Sequence, residues 1–266
     1  MDSDKFSGMK VMKKIKSINP GNQVIVFSAS NKVWNMKALL DAGADGYYMK
    51  ESPEFGFSSE FSEQNYLRFK RDVESCFDND FLKDVFKNLS EIKRHIATIS
   101  NEDFKNQLLS QTDLFWNMIL KAKSKTDFAY SYVSLYLFFE IINNHFYEHT
   151  SEGMWEMKGG NKLLNWQWSN DDKAYTNTSQ QIVSNNPPEW LKIAGLYFQL
   201  WEQKDSQIVM YIYYLITKRN GFIHNSADIL DKKDSKGNYI NHDIYTKEGI
   251  KRLLQVVSLL IPVIKE

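Results

Sequence analysis

The chain has 266 residues, with 33 Lys and Arg balanced by 33 Asp and Glu, and with 42% hydrophobic and 14% aromatic side chains. That apolar content supplies a real core and excludes wholesale disorder. A net charge of zero excludes the strong basic bias of a non-specific nucleic-acid or anionic-membrane binder, so any such surface is local.

One cysteine, Cys76, rules out an internal disulfide and a multi-Cys zinc site and fits a reducing cytoplasm, the expected location. The opening MDSDKF is polar and acidic, without the apolar segment of a secretory signal. The most apolar stretches, Tyr130 to Phe146 with Glu140 inside it and Leu253 to Ile264, fall short of the roughly 20 residues a bilayer span needs. No membrane association, metal or cofactor is expected.

In chain order, Gly8 to Ile18 repeats apolar residues at helical spacing and is stopped by Asn19-Pro20-Gly21-Asn22. Val24 to Phe27 is a continuous β-branched and aromatic run, the pattern of a strand buried on both faces of a parallel sheet. A helix over Val33 to Ala42, ended by Gly43, and a strand around Gly46 to Met49 follow. From Phe61 onward the pattern changes to long helical segments with almost no strand signal. These are Phe61 to Phe77, Asp80 to Ile99, Asp103 to Ala122, Thr126 to Glu148, Pro188 to Gln203, Ser206 to Arg219 or slightly beyond, and Thr246 to Ile264. Thr126-Asp127 and Asp205-Ser206 read as caps, and Pro187-Pro188 as a first-turn proline. Ser151 to Asn186 is a polar insertion, and Asp231 to His242 a charged loop. The expected fold class is therefore mixed, with a small partial α/β unit and its following helix over residues 1–77. A larger all-α bundle then occupies residues 78–266, with the polar insertion at 151–186.

GMKVMKKIKSINPGNQVIVFSAS followed by ALLDAGADGYYMK resembles the C-terminal half of a response-regulator receiver domain, the flavodoxin-like phosphoacceptor module of two-component signalling, over residues 8–58. In that family a hydroxyl residue ends the fourth strand, an aromatic residue sits in the fifth and a lysine ends it. Ser28, Tyr47 and Lys50 stand at those positions. An acyl phosphate needs a hydroxyl donor and a cation to hold its oxygens. The family also carries an acidic pocket after its first strand and a phosphoacceptor aspartate after its third. By the family's spacing both fall before Met1, and Asp2 and Asp4 stand at the wrong distance. Glu51 replaces a common proline. The stretch is therefore expected not to accept a phosphoryl group, and Ser28, Tyr47 and Lys50 read either as relics or as an inactive phosphate pocket. A histidine kinase or a missing receiver half is the partner the resemblance implies. One edge of the first strand is left to be covered by more chain, by a second copy or by the helical half.

Arg219-Asn220-Gly221-Phe222-Ile223-His224-Asn225 resembles the R-x(4-6)-H signature of HEPN domains, helical bundles of which many are metal-independent ribonucleases, in the form with Asn directly after Arg. The resemblance covers roughly residues 80–266 and implies a homodimer with RNA as its ligand. Histidine titrates in the right range to move the 2′-hydroxyl proton or protonate the leaving oxygen, the role of His224. Arg219 offers planar donors to the dianionic transition state, and Asn220 orients the pair or holds the helix end. A 2′,3′-cyclic phosphate end is the implied product. Many members carry a polar residue on an earlier helix facing this site, and Glu140, with Asn144 one turn on, is the candidate here. Other readings stay open: His224 as a helix-terminal histidine, and Glu140 as a carboxylate hydrogen-bonded inside the bundle.

His145 and His149 have the spacing of a metal pair but no third ligand, so a solvated helix end is the expected reading. Tyr130, Phe138, Tyr211, Tyr213 and Tyr214 read as core. Trp155, Trp166 and Trp168 either pack back on the bundle or meet a partner. The expected function is a metal-independent endoribonuclease in stress, toxin or defence signalling, regulated by the receiver-like unit. The alternative is a non-catalytic dimerisation or interaction module acting as the output of a response regulator.

Overall fold

The computed structural model describes residues 8–29, 32–50, 56, 58–151, 155–181, 187–225 and 245–264, with 179, 181 and 217–225 described by backbone alone. The charged loop expected at Asp231 to His242 and the departures at Asp2, Asp4 and Glu51 lie outside them. The chain is mostly helical with a few small sheets and divides into two compact units, Met1–Lys87 and Asn88–Glu266.

The first unit runs α1 (Gly8–Ile18), β1 (Ile25–Ser28), α2 (Val33–Asp41), β2 (Gly46–Met49), α3 (Ser59–Asp78) and the first turns of α4 (Phe81–Ile96), within which the division falls. The turn after α1 is shaped by Asn19, whose Oδ1 accepts from the Gly21 N–H at 2.8 Å while its Nδ2 donates to the Lys83 carbonyl at 3.2 Å. Gly21 is required by closeness, since a Cβ there would stand 2.6 Å from the Leu82 backbone. Strands β1 and β2 pair in parallel, Ile25 opposite Gly46 and Ser28 opposite Met49. Asp45 locks the start of the pair, accepting from the Val24 N–H at 2.6 Å and from Lys16 Nζ at 2.9 Å. One expectation is corrected: β1 is not buried on both faces, and Phe27 is 49% exposed, because only β2 lies beside it among the described residues.

The second unit continues from α4 into α5 (Glu102–Ile119) and α6 (Lys125–Phe146). Helix α6 is its centre, buried around most of its circumference and touching α5, a short α7 (Glu189–Gly195), α8 (Ser206–Asn225) and α9 (Lys247–Leu260). Its apolar run explains this, because a helix hydrophobic on every side belongs in a core. Its cap is Ser124 rather than Thr126, with Asp127 completing a capping box.

The bundle is not all-α, which corrects the sequence expectation. β3 (Tyr147–His149) pairs antiparallel with β4 (Trp155–Met157), and β5 (Leu164–Ser169) with β6 (Ala174–Gln181), so much of the polar insertion is a pair of ribbons. The helix expected from Pro188 to Gln203 is split as well. After α7 it widens into a π-turn at Leu196–Leu200 and stops at the buried Trp201. Gly195 sits at the junction because a Cβ there would meet Leu163 Cδ1 at 2.5 Å and Met157 Cε and the Tyr147 hydroxyl at 2.8 Å.

Candidate functional site

The R-N-x-x-x-H run occupies the last turns of α8, whose helical backbone continues through Gly221 to Asn225, while the side chains of Arg219, Asn220 and His224 lie outside the described residues. What holds that helix is described. Ile212, Leu215 and Ile216 are buried, and the hydroxyl of Tyr132 on α6 donates to the Leu215 carbonyl at 3.0 Å, one turn before Arg219. The Tyr132 ring also meets Tyr245 edge-on, centroids 5.5 Å apart, immediately before α9 and its Thr246 cap. Helices α6, α8 and α9 thus converge on one tyrosine close to the motif.

Glu140 is half-buried on α6 and Asn144, a turn along, is exposed. The strongest polar site on this stretch is their neighbour Asn143, fully buried, which donates through Nδ2 to the carboxylate and the carbonyl of Glu189. Glu189 Oε1 takes Lys192 Nζ at 3.0 Å, and the same ammonium lies 3.8 Å from the centre of the Trp155 ring. Lys192 is 2% exposed, so this cation is neutralised inside the fold by one carboxylate and one aromatic face. Sequence reasoning missed this network, whose one available signal was Glu189 and Lys192 three apart beside a proline helix start.

The histidine pair separates. His145 stacks on Phe104 with centroids 3.9 Å apart, and His149 lies 3.9 Å from Trp155 across the β3–β4 ribbon. Among the described residues no group of three His, Cys, Asp or Glu side chains is arranged to hold a metal ion. The tryptophans pack back on the bundle to different degrees. Trp166 is buried against Phe198, centroids 4.6 Å apart, with its Nε1 donating to Gln199 Oε1 at 3.1 Å, whereas Trp168 is 36% exposed.

The aromatic stripe is another correction. Phe138 is buried, but Tyr130, Tyr211, Tyr213 and Tyr214 are 40–56% exposed. Helix α8 buries the row containing Ile208, Val209, Ile212, Leu215 and Ile216, which leaves its tyrosines on the opposite side.

In the first unit, Ser28 and Lys50 come together at the strand ends, the Lys50 N–H donating to the Ser28 carbonyl at 2.8 Å. Tyr47 is buried and lines a cavity of about 300 Å³ with Met36, Met49, Phe61, Gln64 and Arg68. The best-tied aromatic is the next residue. Tyr48 donates to Asp72 Oδ2 at 2.6 Å, packs on Phe69, and lies under the Arg68 guanidinium, 4.9 Å from its ring centre. Burial and then Asp72 push the Tyr48 hydroxyl above its usual range. Cys76 is half-buried, and burial, then Asp45 and Asp72, raise its thiol, the opposite of an activated nucleophile.

No family model matches this chain, and no curated protein and no solved structure matches it. Among the described residues, no helix is long and apolar enough to cross a membrane.

Proposed function

We propose that the chain is a metal-independent, cytoplasmic endoribonuclease of HEPN type. It works as a homodimer in a stress, toxin or defence response and is regulated by its receiver-like unit. The observation that carries this reading is the run Arg219-Asn220-Gly221-Phe222-Ile223-His224 at the end of α8 in a mostly helical unit. His224 moves a proton at the ribose 2′-oxygen or the leaving oxygen, and Arg219 neutralises the phosphorane oxygens. The unbroken helix supports the dimer. At 100° per residue, positions five apart diverge by about 140°, so positions 219 and 224 of one copy fall on different sides of the helix and a two-fold axis supplies the complement.

The test is cleavage of end-labelled RNA in EDTA by the native chain beside Arg219→Ala and His224→Ala. Cleavage leaving 2′,3′-cyclic phosphate ends, reduced at least about 100-fold in either variant, is the expected result. Equal cleavage by all three, or by none, removes the nuclease reading. In the second case the non-catalytic interaction module remains, and the exposure of Tyr130, Tyr211, Tyr213 and Tyr214 is what favours it.

A further inference from the structure

A cleft within the second unit takes no part in the chemistry assigned so far. It has a volume of about 370 Å³, bounded by the β5–β6 ribbon and the turn that leads into α8, and falls in the range of about 300–1,000 Å³ usual for small-ligand sites. Its wall is aromatic. Trp166, Tyr175 and Phe198 line it, with the Phe198 ring 4.6 Å from that of Trp166 and 6.1 Å from that of Tyr175. Trp166 is buried, whereas Tyr175 and Phe198 are half-buried and keep ring surface for a ligand.

Glu202, Lys204 and Ser206 also line the cleft. Buried Ser206 ties its two sides together, its Oγ accepting from the Tyr175 N–H at 3.0 Å. The turn that carries the charges is fixed by its neighbours. The Trp201 N–H donates to the Leu196 carbonyl at 2.8 Å, the Gln203 N–H to the Tyr197 carbonyl at 2.9 Å, and Gln203 Nε2 to the Trp201 carbonyl at 2.7 Å. Between them Glu202 is held left-handed at φ 54°, a costly conformation for a residue with a Cβ. Glu202 and Lys204 are exposed, and among the described residues neither side chain makes an ion pair or a hydrogen bond, even with the other.

That lining selects its ligand. A cation would meet Lys204, an anion would meet Glu202, and an apolar molecule would leave both charges unanswered. A flat ring with donors along part of its edge and an acceptor beside them answers the wall, the carboxylate and the ammonium together. Guanine has that edge: N1–H and N2–H are adjacent donors for a carboxylate, and O6 next to them accepts from a lysine. Uracil would set two carbonyls against Glu202, and adenine and cytosine each offer one amino donor beside a ring acceptor. The aromatic surface also continues beyond the cleft. Tyr175 lies 6.1 Å from Trp190, and Trp190 5.0 Å from Tyr213, which is 44% exposed on α8. Tyr213 precedes Arg219 by six residues, about 9 Å along the helix. Rings in such a row stack successive bases of a single strand.

We propose that this cleft holds a guanine base of single-stranded RNA. Glu202 accepts from its N1–H and N2–H, Lys204 donates to its O6, and the strand passes over Trp190 and Tyr213 toward Arg219. The course toward Arg219 rests on the nuclease reading, and the base site does not.

The full chain is titrated into two fluorescent 2′-O-methyl oligonucleotides, oligouridine with one central guanosine and its twin with a central adenosine, and anisotropy is read. The guanosine strand is expected to bind at least about tenfold more tightly, the discrimination of one bidentate pair. Glu202→Gln, an exposed change whose fold circular dichroism checks, is expected to bring the two strands to equal affinity. Tyr213→Leu is expected to weaken both strands alike, by about tenfold. Equal affinity in the native chain, or binding of neither strand, overturns the proposal. So does a guanosine preference that Glu202→Gln leaves intact, because the base is then read elsewhere. GMP is titrated by calorimetry as the free source of the same base. If GMP binds and Glu202→Gln abolishes it, while the native chain does not distinguish the two strands, the cleft belongs to a free nucleotide and the RNA assignment is overturned. Binding of phenylalanine or tetramethylammonium that Glu202→Gln abolishes, with neither strand bound, overturns it in favour of an amino acid or a cation. The 2′-O-methyl strands lack the hydroxyl that cleavage uses, so failure here leaves the nuclease reading standing.

Discussion

Tyr147 donates its hydroxyl to the Lys192 carbonyl at 2.8 Å from a position 2% exposed, and burial first, then Glu189, raise its pKa well above the usual tyrosine range. The sign of the resulting pH dependence is fixed. Above about pH 10 the unfolded chain releases this proton and the native chain retains it, so stability is full below that pH and falls as pH rises toward the native value. Thermal unfolding followed from pH 8 to pH 11 is expected to show a falling alkaline limb, made shallower in Tyr147→Phe. An unchanged limb in the variant would show that this hydroxyl does not hold its proton more tightly in the fold. Tyrosines of this kind are hard to place from sequence. Tyr147 follows an apolar run that predicts burial, whereas Tyr211, Tyr213 and Tyr214 sit in an equally apolar run and come out exposed. The difference is helix position: α6 is surrounded, while α8 lies at the side of the bundle and buries one face.

At the scale of the element, caps decide where helices begin. The Ser124 hydroxyl accepts from the Asp127 N–H at 3.2 Å, and Asp127 Oδ2 accepts from the Ser124 and Lys123 N–H groups at 2.8 and 2.9 Å. Those donors lower the Asp127 pKa, so its half of the box is present above the ordinary carboxylate range and lost as pH falls. Ser124→Ala is expected to cost about 1 kcal/mol in urea unfolding. No change would mean the start of α6 is held by packing alone. The long helices, including α3, α4, α5, α6 and α9, were legible to within a few residues because their apolar spacing is regular over several turns. The ribbons were not. Leu164, Trp166 and Trp168 do alternate with Asn165 and Gln167, and Tyr175 and Thr176 favour strands. The polar composition around them outweighed that alternation. The break at Gly195 was hidden for another reason: it answers to Leu163 and Met157, far away in sequence.

For the whole molecule, the legible part of the candidate site is its placement: the Arg-Asn and His of the motif on a helix that packs against the most apolar segment of the chain. What local pattern cannot carry is which copy supplies the partner of each group, because spacing along one helix does not say whether an Arg and a His act within one chain or across two. Subunit mixing reads that directly. If Arg219 of one copy works with His224 of the other, a dimer of one Arg219→Ala chain and one His224→Ala chain retains one intact pair of the two. Random reassociation of equal amounts makes half the dimers mixed, so cleavage is expected to return to about a quarter of the native level from two inactive stocks. If both groups act within one chain, every mixed dimer lacks a complete pair and mixing restores nothing. Denaturing and refolding the two stocks together, against each refolded alone, separates the cases. It also tests why a helix that points its Arg and His positions about 140° apart can serve one phosphate at all.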